Sequence, residues 1–272
     1  MIVDHNGNPI KKTKPITREI AAPTIYDKYS TYPSNGLTPE KLARIFREAD
    51  QGDVYRQMEL FEEMEGKDLH LFSQFQTRKN AVTGLEYEIM PYSTEKSAIT
   101  DSMTDLISEV FENLDTEDIF TDLLDAIGKG FAVSEIIWGY ENNRVIVKDI
   151  KSRLQKKFFW DHEDKFKVMT VENPQGEELP INKFIIHRYK ARSGHPCKAG
   201  ILRVAAWMYL FKNYSIKDWV AFAEVYGMPF RLGKYNSGAS EEDKRALQEA
   251  LIMMGSDAAG IVPEGAEIEF KE

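Results

Sequence analysis

The sequence predicts an α+β fold, with helices first and a mainly antiparallel sheet after them. Three observations carry that expectation. Apart from Leu85 to Met90, apolar residues recur at helical spacing from Thr38 to about residue 128. From Phe131 the period falls towards two, and Glu141-Asn142-Asn143 reads as the turn between two strand-like runs. Hydrophobic residues at 42% and charged residues at 29% match soluble globular chains and exclude a collagen-like, low-complexity or wholly disordered polymer.

Taken in order, residues 1 to 36 carry Pro9, Pro15, Pro23 and Pro33 and read as an extended N-terminal arm, because proline fixes φ and removes a donor. Thr38-Pro39-Glu40 then opens a helix, with a threonine N-cap and proline at the first helical position. Leu42, Ile45 and Phe46 form its apolar face. Helices follow at about 53 to 65, burying Tyr55, Met58, Leu60 and Phe61, and at 68 to 82, with Gly66 between them. Leu85 to Met90 alternates apolar and acidic residues and predicts a half-buried strand ended by Pro91. Two helices are expected at about 95 to 114 and 117 to 128.

Strands are expected at 131 to 140, 144 to 150, 166 to 172 and 183 to 189, with Asn173-Pro174-Gln175-Gly176 as an intervening turn. Ala199 to Tyr226 has no proline and no glycine after Gly200, so it reads as one helix roughly 40 Å long at 1.5 Å per residue. A strand at 229 to 233, a helix from an N-cap at Ser240 to Met254, and strand-like ends at 259 to 262 and 266 to 270 complete the chain. No internal repeat has a fixed period.

Charge and cysteine usage narrow the function classes. With 35 basic and 44 acidic residues the net charge is −9, which argues against a protein whose whole business is coating nucleic acid. Cys197 is the only cysteine, so intrachain disulfides and thiolate-rich metal sites are excluded and a cytoplasmic origin is expected. Asp4, Asn6 and Asn8 occupy the place of an export signal's apolar core. The most apolar window, Ile201 to Phe211, is too short for a membrane span and reads as a buried helix.

Chemistry-bearing motifs are scarce, and neither a catalytic, a cofactor nor a metal site is expected. Gly128-Lys129-Gly130 lacks the rest of a phosphate loop and reads as a helix C-cap and turn. His187, His195 and Cys197 lack the paired spacing of zinc ligands. Pairs such as Glu62 and Glu63, or Glu241 and Glu242, read as solvated helix faces. Lys148 to Lys167 interleaves seven basic residues with Phe158-Phe159-Trp160; core aromatics flanked by solvated lysines are favoured there over a stacking platform for nucleic acid. Residues 239 to 272 hold nine acidic and three basic residues, which repeated around a ring would make a negative annulus.

The segments Leu37 to Gly84, Gly130 to Trp138 and Lys198 to Tyr235 together resemble the portal proteins of Mu-like phages and prophages. That resemblance implies a noncatalytic structural subunit of a homo-oligomeric ring, usually a dodecamer, at a capsid vertex. Its partners would be terminase, capsid and head–tail joining proteins, with double-stranded DNA packaged and ejected through the channel and no membrane involved. It also implies location in the virion, and in host cytoplasm during assembly. Mapped onto this chain, residues 37–197 form an α/β wing-like domain, 198–227 a long stem-like helix and 228–272 a partial clip-like region. Family members are longer, so a returning stem helix, the remaining wing and a crown are expected beyond the strand-like Ala266 to Glu272. Trp207, Tyr209, Phe211, Trp219 and Phe222 exceed what one face of a lone helix needs and are the expected subunit contacts. Glu264, Glu267 and Glu269 are the expected channel-lining residues. The competing readings are a metal-dependent enzyme acting on nucleic acid and a nucleic-acid adaptor that uses residues 148–167.

Overall fold

Helix α1 (Pro39–Asp50) starts where Thr38 accepts a hydrogen bond from the Lys41 N–H at 3.2 Å, and it buries Leu42, Ile45, Phe46 and Ala49 on one face. Helix α2 (Tyr55–Lys67) packs on it through Met58, Leu60, Phe61 and Met64. Asp68 then caps α3 (Leu69–Thr83) by accepting from His70 and Leu71. The protein was analysed as a computed structural model, which describes residues 15–21, 33–91, 98–141, 144–170, 172–226, 231–236, 238–253 and 259–263.

The expected strand at 85 to 90 does not form. Leu85, Tyr87 and Met90 are exposed, and no ladder partner lies beside them among the described residues. Alternation alone cannot hold a strand whose backbone groups find no neighbour. Tyr87 is instead held by side-chain contacts, its hydroxyl 2.9 Å from Thr116 Oγ1 and its ring edge-on to Phe111 and Phe120. Helix α4 (Ala98–Glu112) follows, and the helix expected at 117 to 128 is two, α5 (Thr116–Leu123) and α6 (Ala126–Lys129). Asp115 caps α5, and α6 ends on Gly130 at φ +95°.

The main sheet has strand order β2-β1-β6, from β1 (Phe131–Glu141), β2 (Arg144–Arg153) and β6 (Phe184–Arg188), all antiparallel, with a bulge at Ile137/Trp138. A second antiparallel sheet comprises β3 (Phe158–Trp160), β4 (Phe166–Val168) and β5 (Glu177–Glu178). Strand β4 is shorter than expected: the Met169 N–H still donates to Lys157 in the register of the β3 ladder, but the Thr170 N–H donates to Asn173 and the chain turns there. One core joins α1, α2, the sheet residues Phe131 and Val133, and Phe158, Trp160 and Val168.

Helix α7 (Ile201–Tyr226) realises the long helix expected at 199 to 226. Its first turns bury Leu202, Ala206, Tyr209 and Leu210 in that core, at helical spacing. The chain divides into two compact units, Met1–Leu210 and Phe211–Glu272. In the second unit, β7 (Arg231–Tyr235) and β8 (Ala259–Pro263) are parallel, and α8 (Glu241–Met253) packs on both as their crossover. Ser240 and Asp243 cap α8 reciprocally. Among the described residues, no helix is long and apolar enough to cross a membrane.

Candidate functional site

The five expected contact aromatics divide sharply along α7. Tyr209 is buried in the first unit's own core, and half-buried Trp207 packs edge-on to Phe46 with ring centroids 6.4 Å apart. Those two are therefore committed inside their own unit. In the second unit, Phe211, Trp219 and Phe222 are 50%, 72% and 58% exposed. Steps of four, four and three residues through Ser215 place them on one side of the helix. Glu264, Glu267 and Glu269 lie outside the described residues.

The structure assigns the basic and aromatic stretch at 148–167 to the core and to ion pairs. Phe158 and Trp160 are buried, while Phe131 and Phe166 pack against Trp160. Lys165 pairs with Glu163, Lys167 with Asp161, Lys151 with Glu19, and Lys156 lies 3.8 Å from Glu59. The Lys167 side chain and the Lys165 N–H hold the Asp161 carboxyl down to about 2. A stacking platform needs accessible ring faces, and these rings are spent on packing.

Arg153 belongs to an ion cluster that the sequence reading missed. Glu135, in the middle of β1, is fully buried; it accepts from Arg153 Nε at 2.8 Å and lies 3.2 Å from Lys183 Nζ. Its two oxygens also accept the backbone N–H groups of Ile20 and Ala21, at 2.6 and 3.0 Å. Lys183 donates to the carbonyls of Ile16 and Ile136, while Glu19 takes bonds from Lys151 and Arg153 that hold its carboxyl below the usual range. The cluster thus straps residues 15–21 of the predicted arm across the sheet. An acid in the strand-like, mostly apolar run Phe131 to Ile137 was the available signal.

Gly128-Lys129-Gly130 forms the expected cap and turn. Burial alone would raise the Asp125 carboxyl, but Lys129 and Lys79 outweigh it, and Gln155 adds a hydrogen bond at 2.7 Å. Lys129 is buried, its ammonium 2.7 Å from the Asp125 carboxylate. Glu63 corrects another expectation: it is a buried residue of α2 that accepts from Ser34 and Lys67, so it is no solvated surface acid. His195 bridges Asp164 and Cys197, each at 2.9 Å, and burial pushes the Cys197 thiol up to about 11. A thiol held protonated is a poor nucleophile. Among the described residues, no three His, Cys, Asp or Glu side chains are grouped to hold a metal ion.

What the molecule presents is therefore apolar surface and charge on a braced scaffold. The family model described as the portal protein of Mu bacteriophage matches residues 58–272. The Mu-like prophage FluMu protein gp29 of Haemophilus influenzae is 35% identical over 280 residues, covering 100% of this chain and 53% of that protein. The portal protein of Escherichia phage Mu is 31% identical over 274 residues, covering 99% of this chain and 53% of that protein. The chain spans about half the length of these curated relatives.

Proposed function

This chain belongs to the family of Mu bacteriophage portal proteins, and from that premise we propose that it serves as a noncatalytic structural subunit of a ring at a phage capsid vertex. The ring would form the channel for DNA packaging and ejection and the joint between head and tail. Terminase, capsid and head–tail joining proteins would be its partners, and the virion its location. The portal name of the phage Mu relative supports this assignment. Among the chain's own features, the exposed side of α7 carries it furthest. A monomer rarely leaves Phe211, Trp219 and Phe222 in water on one helix side, whereas a neighbouring copy would bury each for about 1.5 to 3 kcal/mol. In this reading residues 37–197 act as wing, the long helix as stem and 228–272 as part of the clip.

The test is negative-stain imaging and native mass measurement of a chain carried to the length of the relatives, beside its Trp219→Glu variant. Closed rings from the parent and only small species from the variant are expected. A parent that stays monomeric over the micromolar range would overturn the ring reading, and rings from both would remove α7 from the contact.

A further inference from the structure

The first unit carries two surfaces of opposite charge on different elements around its main sheet. One flank is built from residues 85–91, α4 and α5. Residues 98–123 contain eight acidic residues and no basic one. Along one side of α4 run Asp101, Asp105, Glu109 and Glu112, all exposed; along the other, Met103, Leu106 and Ile107 are 55%, 55% and 47% exposed. Tyr87, packed on Phe111 and Phe120, brings exposed Glu86 and Glu88 beside the end of α4. Burial and then the neighbouring carboxylates Asp125 and Asp118 push the Asp122 carboxyl up, as crowded negative charge must.

The other flank is β6 and the loop behind it. Ile185 to Lys198 contains Arg188, Lys190, Arg192 and Lys198 and no acid. Arg188, Lys190 and Arg192 are exposed; Ile186, two residues before Arg188 on β6, is 37% exposed, and Ile181, in the turn that opens β6, is 84% exposed. Helix α5 packs over β1 and β2, whereas β6 forms the far edge of the order β2-β1-β6. Each flank thus joins uncovered apolar side chains to charge of one sign, and the two signs are opposite.

We infer that the acidic flank (residues 85–91, α4 and α5) of one copy docks on the basic flank (Ile181 to Arg192) of the next. The occupant is a second copy because the same unit supplies the complementary charge and the complementary apolar residues. Two different patches make a heterologous, head-to-tail contact, which closes into a ring when its rotation allows. This deepens the ring reading, on which it rests, by naming faces distinct from α7.

Sedimentation velocity on the 272-residue chain tests it, with circular dichroism confirming that each variant is folded. Variant one carries Glu86→Lys, Asp105→Lys and Glu109→Lys; variant two carries Arg188→Glu and Lys190→Glu. The parent should self-associate in a salt-sensitive manner, and each variant alone should do so about tenfold more weakly, since like charges would face each other. An equimolar mixture of the two should regain the parent's behaviour, because each junction again pairs opposite charges. Leu106→Asp should weaken association at every salt concentration. A parent that does not associate, variants that associate like it, or a mixture that fails to recover would each overturn the proposal. Loss of DNA retention by variant two with association intact would reassign the basic flank to a polyanion. Failure here with rings still seen on imaging the longer chain would leave the ring reading standing.

Discussion

At the scale of single residues, Glu135 has the most to lose. Its carboxylate is shared by Arg153, Lys183 and two backbone N–H groups of the arm, all out of water. Glu135→Ala would take the buried carboxylate away from Lys183, leaving it on the Ile16 and Ile136 carbonyls, and would leave buried Arg153 paired with Glu19, so we expect a loss of about 3 to 5 kcal/mol in denaturant unfolding. Trypsin should also cut faster after Arg18, as the strap loses its anchor. Asp161 gives a pH signature. Its folded pKa, about 2, lies below the model-peptide value of about 3.8, so its bonds contribute stability above that value and lose it as pH falls from roughly 4 to 2. The Asp161→Asn variant should therefore show a flatter acid limb across that window in thermal melts. Asp161 did not announce itself in the sequence, and Glu135 did so only by its place in a mostly apolar run. Charge counting registers how many acids there are, but burial decides which ones matter, and burial of Glu135 and Glu63 depends on chain more than 25 residues away, at Ile20 and Ser34.

At the scale of elements, legibility followed locality. The caps at Thr38, Asp68 and Ser240 act within one turn, and the helices they open lie where the sequence places them. The hairpin of β1 and β2 was equally legible, because its turn and alternation are contiguous. Leu85 to Met90 failed because a strand needs a partner that the local pattern does not report, and the parallel pairing of β7 with β8 went unseen because it spans a crossover helix. The start of α7 is set by a close approach of the same non-local kind. A Cβ at Gly200 would stand 2.2 Å from the Gly128 carbonyl oxygen and 2.7 Å from the Gly130 nitrogen. Both neighbours are backbone and cannot swing away. Gly200→Ala should push the start of α7 away from the turn that ends α6 and cost about 1 to 3 kcal/mol, read as a lower midpoint in urea with the slope unchanged.

At the scale of the whole molecule, charge is distributed for repulsion as well as for contact. Residues 239 to 272 carry net −6 of the chain's −9. Surfaces that grip duplex DNA release counterions as Lys and Arg neutralise phosphates, whereas an acidic wall repels a polyanion over a Debye length of about 8 to 10 Å. Were copies of this segment to surround a channel, repulsion from every side would centre the duplex and lower friction as it moves. Changing Glu264, Glu267 and Glu269 to lysine in a ring-forming chain of the relatives' length should then slow DNA passage and raise DNA retention. Both effects should shrink at high salt, since screening removes attraction and repulsion alike. Packaging rate measured at low and high salt reads this directly. An unchanged rate at low salt would place these acids away from the channel and leave them the role of keeping a surface soluble.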